Sequence, residues 1–278
     1  MDAQIVRPSI ANSTARTSGY ATKPPLQRFL TSCHEEFRAD DSGEVADYIP
    51  ELKRANTAHF GIALVTIDGH VYEVGDSAVP FTIQSVSKAF VFALALEMVG
   101  EERVAAAIGV EPSGEAFNSI RLTNDNRPFN PMVNAGAIAC SGLIHHVEGA
   151  DAFERIRQKL SDFAGRDLAV DDAVHQSEVI TGNRNRAIAW LLCNYSVIQG
   201  DVDAVLDTYF RQCAVLVTAR DLAVMAATLA NRGINPVTGV KVITPNVVAR
   251  TLSVMTSSGM YDYAGEWIYR VGMPPRAV

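Results

Sequence analysis

Residues 85–99 read SVSKAFVFALALEMV, apolar on nearly every side of a helix once the first turn is past. A helix without a polar face is stable only inside a protein, so this run predicts a central helix with other elements packed around it. A chain of 278 residues is long enough to bury one. Glu97 and the polar residues that interrupt the other apolar stretches keep every run short of membrane length, so no membrane span is predicted.

The two flanks of that helix differ in pattern. Ahead of it, FGIALVTIDGHVYEVGD holds two β-branched and aromatic runs joined by Asp68-Gly69, a hairpin signal because the turn demands positive φ. Behind it, residues 101–230 read as helices and loops, among them NAGAIACSGLIHHVEG, DAFERIRQKLSDFAG, NRAIAWLLCN, DVDAVLDTYFRQCAV and TARDLAVMAATLANRG, the last closed by a glycine cap. Strand-like residues return in GEWIYRVGMP. A helix over LQRFLTSCHEEFR and a break at Pro50 precede the hairpin, and residues 1–24, rich in Ser, Thr, Ala and Pro without periodicity, read as a mobile tail. The expected fold is α/β (α+β): one domain over residues 25–278, an antiparallel sheet packed with helices, and a helical region inserted at about 101–230.

Several function classes drop out. The net charge is -7, with no cluster of Lys and Arg, so no nucleic-acid partner is expected. Cys33, Cys140, Cys193 and Cys213 lie far apart without a C-x-x-C pair and read as buried, reduced thiols. With no basic and apolar leader at the start, the chain is expected in the cytoplasm. His34, His59, His70, His145, His146 and His175 have no ligand spacing, and no phosphate-binding glycine motif follows a strand, so neither a metal nor a cofactor is expected.

What remains is Ser85-Val86-Ser87-Lys88 at the start of the buried helix. Residues three apart share a helix face, so Lys88 can reach the Ser85 hydroxyl. Burial and the positive helix end would lower the lysine pKa and free its amine to act as a base. The same end supplies backbone N–H groups for an oxyanion, so nucleophile, base and half of an oxyanion hole could share one turn. Equally, Ser85 could cap the helix and Lys88 extend to solvent; S-x-x-K alone leaves both open.

A hairpin followed by a buried helix carrying S-x-x-K resembles the opening of the serine β-lactamase and penicillin-binding superfamily. Within it the chain is similar to the serine-dependent glutaminases, on GEVADYIPEL, FTIQSVSKAF, EPSGEAFNSI, RPFNPMVNAGAI, HQSEVITGNRNRAIA, TYFRQCAV, LANRGINPVTG and SSGMYDYAG, from about residue 43 to 274. The resemblance implies hydrolysis of L-glutamine to L-glutamate and ammonia through a γ-glutamyl-serine intermediate, in a homodimer or homotetramer. It makes Ser85 the nucleophile and Lys88 its base, and gives Tyr261, or else Tyr209, the proton for the departing ammonia. Tyr48, Gln84, Asn134, Glu178 and Asn185 would join the two tyrosines in binding substrate, Glu178 meeting the ammonium group and Asn134, Asn185 and Tyr48 the carboxylate. On residue type alone, the tyrosines are interior rings with satisfied hydroxyls, and Asn134 and Asn185 cap the helices they precede.

The family continues past its Val-Gly-x-Pro with a Pro-Ala-Lys-Ser-Gly-Val-type segment and further strands, where this sequence reads VGMPPRAV. The expectation is a C-terminally truncated glutaminase lacking those strands and one oxyanion donor, consistent with a frame slip in the coding stretch. Two rivals follow: an inactive paralogue that binds glutamine or a full-length subunit, and a β-lactam or peptide hydrolase.

Overall fold

The computed structural model describes residues 24–276; all but Pro24 of the stretch read as a mobile tail lies outside them. In chain order, α1 (Pro25–Phe37) leads to the hairpin of β1 (Gly61–Val65) and β2 (Val71–Gly75), then β3 (Phe81–Thr82), α2 (Ser87–Val99) and α3 (Glu101–Ala107). A long loop separates these from α4 (Asn134–Glu148), α5 (Ala152–Ala164), α6 (Asp172–Thr181), α7 (Asn183–Asn194) and α8 (Val202–Cys213). Next come β4 (Leu216–Val217), α9 (Ala219–Ala230), α10 (Pro245–Ser257) and α11 (Ala264–Val271).

The helix without a polar face is enclosed as its composition requires. From Ala89 to Leu96, no residue of α2 is more than 7% exposed, and α4, α5 and α10 pack around it. Its two charges are treated differently. Glu97 lies at the edge and pairs with Lys159, whose amine also donates to the Val242 carbonyl. Lys88 lies inside and makes no ion pair among the described residues.

Two small antiparallel sheets position the site. In the first, β1 and β2 pair from Gly61↔Gly75 to Val65↔Val71 around a turn in which Gly69 takes φ +86, and α1 and α9 pack against them. In the second, β3 pairs with β4, Phe81 opposite Val217 and Thr82 opposite Leu216. That pairing joins the chain entering α2 to the chain leaving α8. At the start of α4, a Cβ on Gly136 would fall 2.0 Å from the Asn130 carbonyl oxygen, so only glycine lets the preceding loop lie on the turn that carries Asn134.

Four expectations are corrected. Residues 264–271 are helix, not strand: Trp267 and Val271 stand four apart, Glu266 pairs with Arg270 across one turn, and Gly272 ends the helix at φ +75. The aromatic spacing that reads as alternation also fits the helical period. Helix α9 ends at Ala230 with Asn231 as its cap, and Gly233 turns later at φ +87. Ser85 precedes α2 in a short 3-10 turn instead of opening the helix. Of the four free thiols, only Cys140 and Cys213 are fully buried.

Because α2 is packed on all sides, Leu94→Ala, at a position 0% exposed, should cost about 2–5 kcal/mol in urea unfolding. A loss below about 1 kcal/mol would contradict the enclosed helix.

Candidate active site

The chain leaves β3 and turns sharply before α2. Gln84 takes φ +48, a left-handed conformation costly for a residue with a Cβ, and residues Gln84–Val86 form the 3-10 turn. This presents Ser85 half-buried, one turn from Lys88, and no side chain caps α2. Lys88 does not extend to solvent. It is 1% exposed, with Nζ 3.0 Å from Ser85 Oγ, 2.7 Å from Asn134 Oδ1 and 5.5 Å from the Phe117 ring centroid.

The Asn134 amide is oriented by its other end, where Nδ2 donates to Asn185 Oδ1 at 3.0 Å, turning Oδ1 towards the lysine. Neither asparagine caps its helix. Burial pushes the Lys88 pKa down to about 8, opposed by the nearby Cys213 and Glu178. A neutral amine carries two hydrogens and one lone pair. With Asn134 accepting one hydrogen, the lone pair can face the Ser85 hydroxyl.

Above this pair lies a cavity of about 370 Å³ lined by Tyr48, Gln84, Ser85, Asn134, Glu178, Asn185 and Tyr209. Helices α6 and α7 meet at Gly182, where a Cβ would fall 2.6 Å from both the Glu178 carbonyl oxygen and the Phe210 ring, so this tight turn brings Glu178 and Asn185 to one wall. Glu178 is 6% exposed. Burial raises its pKa to about 7, against the pull of Lys88 and a hydrogen bond from Gln84. Tyr209, also buried, has its hydroxyl pKa pushed well up by desolvation, then by Cys213 and Glu178. Tyr48 stands exposed at the mouth.

Tyr261 is set apart. Its hydroxyl donates to the Met132 carbonyl at 3.2 Å and its ring lies 6.1 Å from that of Phe117, which lines the cavity where Tyr261 does not. Other lining residues escaped the sequence reading. Cys213 lies one helical turn beyond Tyr209 and could have been found from that spacing. Phe117 and Asn118 belong to a loop with no periodic signal, and Arg184 stands in the first turn of α7 beside Asn185. A larger hollow of about 550 Å³, lined by Arg103, Arg127, His146 and Tyr195 among others, contains none of the predicted site residues.

A serine hydroxyl against a buried amine of lowered pKa, under a polar cavity with one carboxylate, is equipment for nucleophilic acyl transfer on a small polar substrate. Comparison with known proteins is specific. The glutaminase family's sequence profile matches residues 43–277, and the chain belongs to that family. It is 81% identical over 278 residues to Glutaminase 2 of Bradyrhizobium diazoefficiens, covering 100% of this chain and 44% of that protein. It is 49% identical over 261 residues to the glutaminase of Microcystis aeruginosa, covering 94% of this chain and 77% of that protein. Among solved structures, Mglu in its native form superposes with a TM-score of 0.86 at 44% identity, over 91% of this chain and 62% of that one. Mglu in its glutamate form gives 0.86 at 43% identity, over 91% and 59%. The chain spans less than half the length of the Bradyrhizobium relatives it matches, 44% of Glutaminase 2 and 42% of Glutaminase 1.

The lowered Lys88 pKa sets a stability test. Above its ordinary 10.5 the amine is neutral folded or unfolded, and as pH falls towards about 8 only the unfolded chain takes the proton readily, so the cost of burial grows and is complete below about 8. Lys88→Met removes that cost. Its stability relative to the parent should rise as pH falls from about 10.5 to about 8, by on the order of 3 kcal/mol, then level off. A difference constant with pH, measured by denaturant unfolding, would contradict the buried-amine assignment.

Proposed function

We propose that the chain is a glutaminase, hydrolysing the side-chain amide of L-glutamine to L-glutamate and ammonia. The observation that carries this reading is the 3.0 Å approach of Lys88 Nζ to Ser85 Oγ inside a buried site, in a chain of the glutaminase family. Neutral Lys88 takes the Ser85 proton as Oγ bonds to the amide carbon. The Ser85 backbone N–H at the head of α2 helps to hold the oxyanion. As the C–N bond breaks, the nitrogen receives a proton and leaves as ammonia. Water then attacks the γ-glutamyl ester, Lys88 takes the water proton, and Ser85 recovers its own as glutamate departs.

Tyr209 lines the cavity and is the nearer candidate to relay the proton to ammonia; Tyr261 would first have to release Met132. For substrate binding, Glu178 suits the ammonium group, whose arrival would restore the carboxylate that burial disfavours. Asn134, Asn185, Tyr48 and Gln84 supply neutral contacts around it, and a cavity of about 370 Å³ suits a free amino acid. The glutamate form of Mglu, similar over 91% of this chain, supports the ligand class. The same reading takes residues 25–278 as one domain and the chain as cytoplasmic and, on family resemblance, as a homodimer or homotetramer.

Purified chain should release ammonia from L-glutamine, and Ser85→Ala should lower the rate by at least about 10³-fold. Release that survives the substitution, or glutamine-dependent thermal stabilisation without release, would overturn the reading. Catalysis needs Glu178 ionised and Lys88 neutral, whose pKa values lie at about 7 and about 8. kcat/KM should therefore rise across that interval, with apparent values that belong to the coupled pair. A flat profile from pH 6 to 9 would count against both assignments.

A further inference from the structure

We propose that Gln212 is a positioning residue for the nucleophile, acting through a buried hydrogen-bond chain with Ser141 and Ser87 that holds the strained turn in front of Ser85. The inference rests on the reading of Ser85 as nucleophile and adds a device that presents it.

Gln84 is the origin of the need. At φ +48 it occupies a region that glycine enters freely and glutamine does not, at a cost of about 1–3 kcal/mol. Such a conformation persists only where surrounding structure over-determines it. The Gln84 carbonyl accepts from the Ser87 backbone N–H and, at 2.7 Å, from Ser87 Oγ. Ser87 Oγ in turn accepts from Gln212 Nε2 at 2.9 Å, and Gln212 Oε1 accepts from Ser141 Oγ at 3.2 Å, a hydrogen that Ser141 shares with the Ala137 carbonyl, also at 3.2 Å.

A carbonyl can only accept, so Ser87 must spend its one hydrogen on Gln84. Gln212 must then present its amide nitrogen to Ser87 and its oxygen to Ser141. The chain has one direction, and it ends on the peptide that joins Gln84 to Ser85.

Ser87, Gln212 and Ser141 are each 0% exposed. They come from α2, α8 and α4, three helices that meet in the core. Apolar side chains would fill that volume without the desolvation cost of buried polar groups. What the polar trio adds is a fixed anchor for one backbone carbonyl. If that peptide swung free, the Ser85 N–H and Oγ would move together, losing the 3.0 Å approach to Lys88. Helix α8 carries both functions, with Tyr209 and Cys213 on the cavity and Gln212 on the turn.

The test uses the full chain and the variants Gln212→Met, Ser87→Ala and the pair combined, each made in the parent and in Gln84→Gly. Two readouts are taken: kcat and KM for glutamine, and amide hydrogen exchange at residues 86 and 87. In the parent background, each single variant should lower kcat by about 10- to 100-fold with KM within about two-fold, since a small misplacement of the reacting group costs rate more than binding. The double variant should be no worse than the more damaging single, because the residues act as one unit. With Gln84→Gly, where left-handed backbone needs no anchor, adding Gln212→Met should cost less than about three-fold.

Unchanged kcat accompanied by a lower Tm would reduce the trio to packing and overturn the proposal, as would a penalty that stays full in the glycine background. Should Gln212→Met fail to fold, the smaller Ser87→Ala carries the same comparison. If ammonia release proves independent of Ser85, the reading of the reaction fails, yet exchange still decides the anchor. Faster exchange at residues 86 and 87 in the variants supports it, and unchanged exchange overturns it.

Discussion

Lys88 carries a basic amine into the protein interior, and much of the surrounding arrangement follows from making that amine easy to neutralise, oriented and within reach of Ser85. A solvated lysine would be protonated and useless as a base. Enclosure of α2 by α4, α5 and α10 removes the water, and with it much of the preference for the charged form. Asn134 accepts from the amine but carries no charge, so it orients Nζ without stabilising the ammonium form as a carboxylate would. Glu178, the nearest carboxylate in the electrostatic sense, is itself held towards neutrality by burial. The two groups oppose each other's shifts, so the protonation state of one depends on what has bound near the other.

The nucleophile depends on a second constraint, the strain at Gln84. The β3–β4 pairing brings the chain to the head of α2 from one side, and the 3-10 turn must then reverse it within a few residues. Strain of this kind is tolerated where a rigid frame holds it, and here the frame is the buried junction of α2, α4 and α8. Two helices of that junction also supply part of the polar wall of the cavity. Asn134 opens α4, and Tyr209 and Cys213 end α8.

Much of this was legible in the sequence because it rests on local pattern. The unbroken apolar faces of α2 announced burial, Asp68-Gly69 announced the hairpin, and three-residue spacing announced the Ser85–Lys88 contact. Resemblance to the glutaminases supplied the distant members of the cavity, Tyr48, Glu178 and Asn185, which no local pattern could bring together. Other features were hidden for physical reasons. Trp267, Ile268 and Tyr269 fit either period, and the ion pair and glycine cap that decide for helix are weak signals in isolation. The left-handed Gln84 looks in sequence like any polar residue before a serine, and its anchor at Gln212 lies 125 residues from Ser87. Phe117, the ring over Lys88, sits in a loop without periodicity.

The most direct test of this account is the titration of Lys88 itself, followed by NMR on protein labelled in the lysine side chain, with Lys88→Met to assign the signal. The account predicts a midpoint near about 8, moved back up towards the ordinary value when Glu178 ionises. A lysine that titrates at its ordinary 10.5 would mean that virtually none of the amine is neutral near neutral pH, leaving Ser85 without a base beside it.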